Sequence, residues 1–226
     1  MAARGRPRGF DREAALAAAM RLFWQKGYTA TSMAELYQAM GIHSPSLYAA
    51  FGNKEDLFLE AVACYEKSIA PLIWSPLDTA PTAREAVGEW LKCSARILTR
   101  DAWPPGCMVT LSNVAGEGNA RLGEQVKRSR QRGIDKLTAR LDQAVAEREL
   151  AAGIDTAALA RMYFSIQQGM SIQARDGAGF AALDAMADMA LALWPAAQSM
   201  ACHGVQGDIP RQGRKNAGAL VTRHRR

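Results

Sequence analysis

From about residue 11 to residue 194 the apolar residues recur at intervals of three and four rather than two, a spacing that becomes one buried face only on an α-helix. Alanine is abundant and runs of β-branched residues are absent, so intrinsic propensity agrees with the periodicity. The expected fold class is all-α. With 49 % of residues apolar, the chain can bury a sizeable core, which excludes general disorder.

The helix ends are written in capping chemistry. Asp11 caps a first helix to about Lys26, stopped by Gly27. Ser32 with Glu35 forms a capping box that opens a second, short helix ending at Gly41. Ser44 followed by Pro45 starts a third through Phe51, and Asn53 caps a fourth to about Ile69. Pro71, Pro76 and Pro81 then break the pattern. Thr82 and Glu85 box the next helix, to about Thr99. Trp103-Pro104-Pro105-Gly106 forces a turn, and a helix is expected to begin at once through Cys107, Met108 and Val109. A long charged helix follows from Asn119 to Arg148, ended by Gly153. Asp155 caps another to about Arg175, and a last one runs from Phe180 to Trp194. Residues 199–226 lack apolar periodicity and read as a disordered tail.

The net charge of +6 is unevenly placed. Arg4, Arg6 and Arg8 stand in residues 1–9 without an acid, and residues 199–226 hold six Lys/Arg against Asp208 alone. The body between them carries 19 positive and 21 negative charges, so it is close to neutral and the basicity belongs to the two ends. No run of eighteen apolar residues exists and the basic start lacks an apolar stretch, so neither a membrane span nor a secretory signal is expected, and a cytoplasmic location is. Cys64, Cys93, Cys107 and Cys202 are far apart, with no C-x-x-C and no clustered histidines; no metal site, cofactor or disulfide framework is expected.

Residues 32–51 fit a helix-turn-helix. Leu36, Met40, Ile42 and Leu47 hold two short helices at a fixed angle, and Gly41 suits the left-handed turn. The second helix opens with small polar residues, Ser44, Pro45 and Ser46, so its N-terminus can enter a major groove. The bland alternative is a pair of short helices in an ordinary bundle.

Gly27, Tyr28 and the run to Met33, then Met40-Gly-Ile-His-Ser-Pro-Ser-Leu-Tyr48, Phe51, and Asn53-Lys-Glu-Asp-Leu57 resemble the N-terminal domain of TetR-type (tetracycline-repressor-like) transcriptional regulators. The likeness is specific over residues 10–65 and architectural over 82–197. It implies a homodimeric one-component regulator, more often a repressor in this family, that binds a palindromic double-stranded operator and responds to an effector. It divides the chain into a basic arm (1–9), a three-helix DNA-binding domain (10–56), a larger helical effector-binding and dimerisation domain (57–198) and the tail. It also implies phosphate contacts from Thr31, Ser32 and Lys54, a recognition helix over residues 44–50 entered by His43, and Tyr48 against the DNA backbone. Where the family has a small residue this chain has Tyr37, whose bulk is expected to widen the crossing of the two helices. Beside such a motif, Arg6 and Arg8 read as an arm following the backbone or entering a minor groove, against a merely solubilising tail.

Trp74, Trp90, Trp103, Met108, Tyr163, Phe164 and Met170 are candidates for an effector pocket or, equally, for core; Gln167 and Gln168 add polar handles. Cys107 is a candidate thiol sensor, because free amides and the dipole at a helix start favour negative charge on sulfur, and its Gly-Cys context resembles a thiol-sensing subset of the family. That subset pairs the cysteine with a later lysine; this chain has Arg175 near the region instead. The alternative is a small buried hydrophobe. Dimerisation is expected through the last two helices, with Ala181, Ala182, Ala185, Ala190 and Ala192 allowing close approach and Leu183, Met186, Met189 and Leu193 as anchors, unless this face closes the monomer's own core. An all-helical enzyme and a protein-binding adaptor remain the rival classes; the enzyme lacks a catalytic constellation, since two of the three histidines lie in the tail.

Overall fold

The computed structural model describes residues 10–195. Arg4, Arg6 and Arg8, Cys202 and the basic tail lie outside the described residues. Eleven helices make up the described chain: α1 (Arg12–Lys26), α2 (Met33–Met40), α3 (Ser44–Phe51), α4 (Lys54–Ser68), α5 (Pro71–Trp74), α6 (Pro76–Thr79), α7 (Ala83–Leu98), α8 (Met108–Leu111), α9 (Ala120–Ala146), α10 (Thr156–Arg175) and α11 (Phe180–Ala192). Asp11, Ser32, Asn53, Thr82, Asn119 and Asp155 each accept a backbone N–H at a helix start, and Ser32 with Glu35 closes a complete capping box.

Four local expectations are corrected. Pro71 and Pro76 do not merely break the chain; each opens a one-turn helix, as suits a residue with no N–H to leave unpaired. The helix after the Pro-Pro-Gly turn is a single turn with Cys107 as its N-cap. The long helix stops at Ala146, and Arg148, not Gly153, adopts the left-handed conformation beyond it at φ 65°. The last helix ends at Ala192 rather than Trp194.

Two cores organise the molecule. The first joins Ala19 and Phe23 of α1 to Leu36, Leu47 and Phe58, and it extends to Met108, Val114, Leu122 and Val126. The second joins Trp90 and Leu91 of α7 to Leu137, Leu141, Tyr163 and Leu183. At 27 residues, α9 is about 40 Å long and serves both cores, one with each half. Its inward stripe runs Leu122, Val126, Arg130, Gly133, Leu137, Leu141, so a cation and a glycine fall where the two cores meet.

The junction between the cores is held by polar bonds to backbone. Trp24 Nε1 donates to the Gly106 carbonyl at 3.1 Å. Arg175, at the end of α10, donates to the carbonyls of Pro105, Trp24 and Gln25 at 2.9, 2.9 and 3.1 Å. Gly106 has φ 79°, and a Cβ there would lie 2.6 Å from the Ser171 carbonyl oxygen, so the turn requires glycine.

Candidate functional site

Two regions gather the sequence-predicted residues. The first is the α2–turn–α3 unit. Gly41 takes the left-handed conformation at φ 65°, which reverses the chain, and Leu36 and Leu47 are fully buried beneath it. His43, Pro45 and Tyr48 are exposed, Ser44 and Ser46 half-buried, so α3 shows a small polar start and one aromatic ring to the outside. Tyr37 is half-buried and donates from its hydroxyl to Ser44 Oγ at 3.1 Å, which staples α2 to the start of α3. The same hydroxyl raises the pKa of the Tyr48 phenol above its ordinary value.

Around this unit, Ser32 is exposed but its hydroxyl is engaged with Glu35, whose carboxylate is held down to about 2 by Lys26 first and then by the Ser32 amide and hydroxyl. Thr31 is fully buried, and its hydroxyl donates to the Gly27 carbonyl at 2.6 Å; it closes the turn and presents no hydroxyl outward. The Lys54 ammonium lies 4.4 Å from the Tyr28 ring centroid, and partial burial lowers its pKa. Arg12, which the sequence reading passed over, ties α1 to the Ala50 carbonyl and to Glu60 while covering the Phe51 ring, and so fixes the end of α3.

The second region is a cavity of about 430 Å³ between α4, α5, α8, α9 and α10. Trp74, Phe164, Gln167 and Cys107 line it. Trp90, Tyr163 and Met170 are buried in the second core without lining it. Met108 belongs to the first core, and Trp103 packs on Trp24 with Arg21 over its ring. Gly133 forms part of the wall: a Cβ there would stand 2.9 Å from both Trp74 and Phe164. Arg130, also missed from sequence, lines the cavity with Nε and Nη2 on the carbonyls of Val109, Thr110 and Ser112 at 2.5–3.1 Å. Its signal was present: a charged residue inside an apolar helical stripe.

The environment of Cys107 differs from the expected one. Its amide is not free but donates to Ser171 Oγ at 2.8 Å, and the following helix is too short to contribute much dipole. Arg175 is spent on backbone carbonyls, and Arg130 is among the cations that share the cavity with Cys107. The Tyr65 hydroxyl donates to the Cys107 sulfur at 3.2 Å, and burial pushes the Tyr65 pKa well up. Cys64, Cys93 and Cys107 are all free thiols.

Residues 15–61 match the family described as bacterial regulatory proteins, tetR family. The HTH-type transcriptional repressor ComR of Escherichia coli (strain K12) is 37 % identical over 194 residues, 85 % of this chain and 92 % of that protein. The chain belongs to the TetR family. Its fold, an N-terminal helix-turn-helix domain followed by a helical domain, is that of TetR structures, and it is a transcriptional regulator of that family. A second TetR-type relative, the HTH-type transcriptional repressor BdcR of the same organism, is 44 % identical over 106 residues, covering 46 % of this chain and 53 % of that one. Among solved structures, a triple-cysteine mutant of the TetR family transcriptional regulator CifR, complexed with 26 bp double-strand operator DNA, matches with a TM-score of 0.79 and 39 % identity over 84 % of this chain and all of that one. Among the described residues of this TetR-family chain, no helix is long and apolar enough to cross a membrane.

Proposed function

We propose that this protein is a repressor that binds a palindromic operator as a homodimer in the cytoplasm and leaves it when an effector occupies the cavity. Residues 10–56 read the DNA, and residues 57–198 bind the effector and dimerise. The observation that carries the reading is the outward face of α3, where His43, Pro45 and Tyr48 stand exposed on a unit locked from behind by Leu36, Leu47 and the Tyr37–Ser44 bond. Ser32, Ser44, Ser46 and Lys54 flank that face as phosphate contacts, and Arg6 and Arg8 extend it from the arm.

For dimerisation, α10 and α11 present Met162, Ile172, Phe180, Met189 and Leu193 outward, the last two 70 % and 65 % exposed, together with Ala181, Ala182, Ala185 and Ala192. Leu183 is not an anchor of this face: it is fully buried in the protomer's own second core, as is Ala190, and Met186 packs against that core. An apolar strip on two adjacent helices is what a two-fold four-helix interface requires.

The test is operator selection from a random library with purified full-length protein, followed by anisotropy titration of the selected DNA. Inverted half-sites, a steep salt dependence and loss of affinity in Tyr48→Ala and Lys54→Ala support the proposal. Failure to enrich any sequence overturns it. A reactive effector is favoured by one further observation, namely that the Cys107 sulfur lies in the cavity wall. Operator release by an alkylating agent in wild type, absent in Cys107→Ser, is the expected result for that route; release in both removes Cys107 as the sensor.

A further inference from the structure

The cavity wall carries one positive charge that no acid balances. Of its lining cations, Arg132 pairs with Glu66, and Lys136 pairs with Asp78 at 2.6 Å. Arg130 has no carboxylate partner among the described residues. Its Nε and Nη2 are used by three backbone carbonyls, and Nη1 has no acceptor among the described residues. Carbonyl dipoles solvate a guanidinium but do not neutralise it, and burial lowers its pKa below the ordinary arginine value.

A second, independent feature points into the same space. Gln167 is only 3 % exposed and lines the cavity, yet its carboxamide has no hydrogen-bond partner among the described residues. Its amide is left to the space of the cavity, where it can donate to or accept from a bound molecule without first giving up a protein partner. The apolar part of the wall is aromatic: Trp74 and Phe164 lie 6.2 Å apart with their planes tilted by 39°, and both pack directly on Gly133, where a Cβ would displace them. The volume admits a molecule of up to about twenty non-hydrogen atoms at protein packing density.

We propose that the cavity binds a small aromatic monocarboxylate, its carboxylate facing Arg130 and Gln167 and its ring against the wall that Trp74 and Phe164 form. This rests on the reading of the cavity as the effector site. The carboxylate supplies the missing counter-charge and accepts N–H groups from both side chains, one of them charge-assisted. A neutral amide of the same shape supplies neither. Glu66 and Asp78 do not oppose the anion, because each is already paired with its own cation.

The experiment is calorimetric titration of the full-length protein with benzoate, naphthalene-2-carboxylate and indole-3-carboxylate, each beside its primary amide. At least one acid is expected to bind about tenfold or more tightly than its amide, the loss of one charged hydrogen-bond set. In Gln167→Leu, close in volume, the preferred acid is expected to weaken at least about fivefold. In Arg130→Gln the acid–amide preference is expected to vanish. Because Arg130 also holds the carbonyls around α8, the wild-type comparison and Gln167→Leu keep the test independent of that variant's folding. Amides binding as well as acids, or no acid binding at all, overturns the proposal. Operator binding measured on the same preparations separates the two levels: if it is intact and acid preference is absent, only this inference falls, whereas absent operator binding removes the regulator reading itself.

Discussion

Replacing Arg175 with alanine removes three hydrogen bonds that join α10 to two distant backbone segments, the Pro105 carbonyl in the Pro-Pro-Gly turn and the Trp24 and Gln25 carbonyls at the end of α1. A charged donor to a carbonyl is worth about 1.5–3 kcal/mol when water cannot substitute, and less where it can. Arg175 is half-exposed, so about 1 kcal/mol per bond is the better figure, or about 3 kcal/mol in all. The positive charge also faces the C-terminal end of α1, which adds a few tenths of a kcal/mol. For a domain of this size that corresponds to a fall in melting temperature of about 6–12 °C, read by circular dichroism. Arg175→Lys is expected to recover less than half, because an ammonium cannot span three carbonyls. The bond from Trp24 to Gly106 crosses the same junction, so Trp24→Phe and Arg175→Ala are expected to be non-additive by at least about 0.5 kcal/mol. A fall under about 3 °C, or additivity of the pair, refutes the idea that these bonds act as one clamp.

Gly106→Ala is expected to cost at least about 2 kcal/mol in urea denaturation, since φ 79° is unfavourable for alanine and its Cβ would meet the Ser171 carbonyl oxygen at 2.6 Å; a neutral result refutes the steric argument. Glu35 is expected to titrate near pH 2 by NMR. Its folded pKa lies below the ordinary 4.5, so its contribution to the α2 start is complete above that pH and is lost as pH falls towards 2; an ordinary midpoint means the Lys26 and Ser32 contacts do not form in solution. Met189→Lys with Leu193→Glu is expected to shift the protein from dimer to monomer by light scattering without lowering its melting temperature by more than about 2 °C beyond what dissociation explains; an unchanged dimer places the interface elsewhere.

The helix-turn-helix was legible because its signals are local. A capping box spans four residues, the Gly41 turn one, and the apolar contacts of Leu36 and Leu47 sit within a dozen positions of each other. The bond from Tyr37 was not legible for a related reason. The size of Tyr37 is visible in sequence, whereas the Ser44 hydroxyl that receives its hydrogen bond comes from the next helix. The residues that line the cavity were only partly legible. Trp74, Phe164, Gln167 and Cys107 face one cavity while Trp90, Tyr163, Met170 and Trp103 do not, yet all eight are uncharged residues that nothing in their local sequence separates.

By itself the sequence determined what depends on neighbours within about four residues, namely the all-helical class, most helix starts and the DNA-reading unit. Only the tertiary structure decided which residues share the cavity, that Arg175 clamps α1 and Arg130 faces Cys107's cavity, and that Leu183 turns inward while Met189 and Leu193 stay out. Those outcomes depend on how helices far apart in the chain cross and rotate against one another. A periodic stripe says that a helix has an inner face; it does not say which partner that face meets, nor where two packed surfaces fail to touch and leave a space.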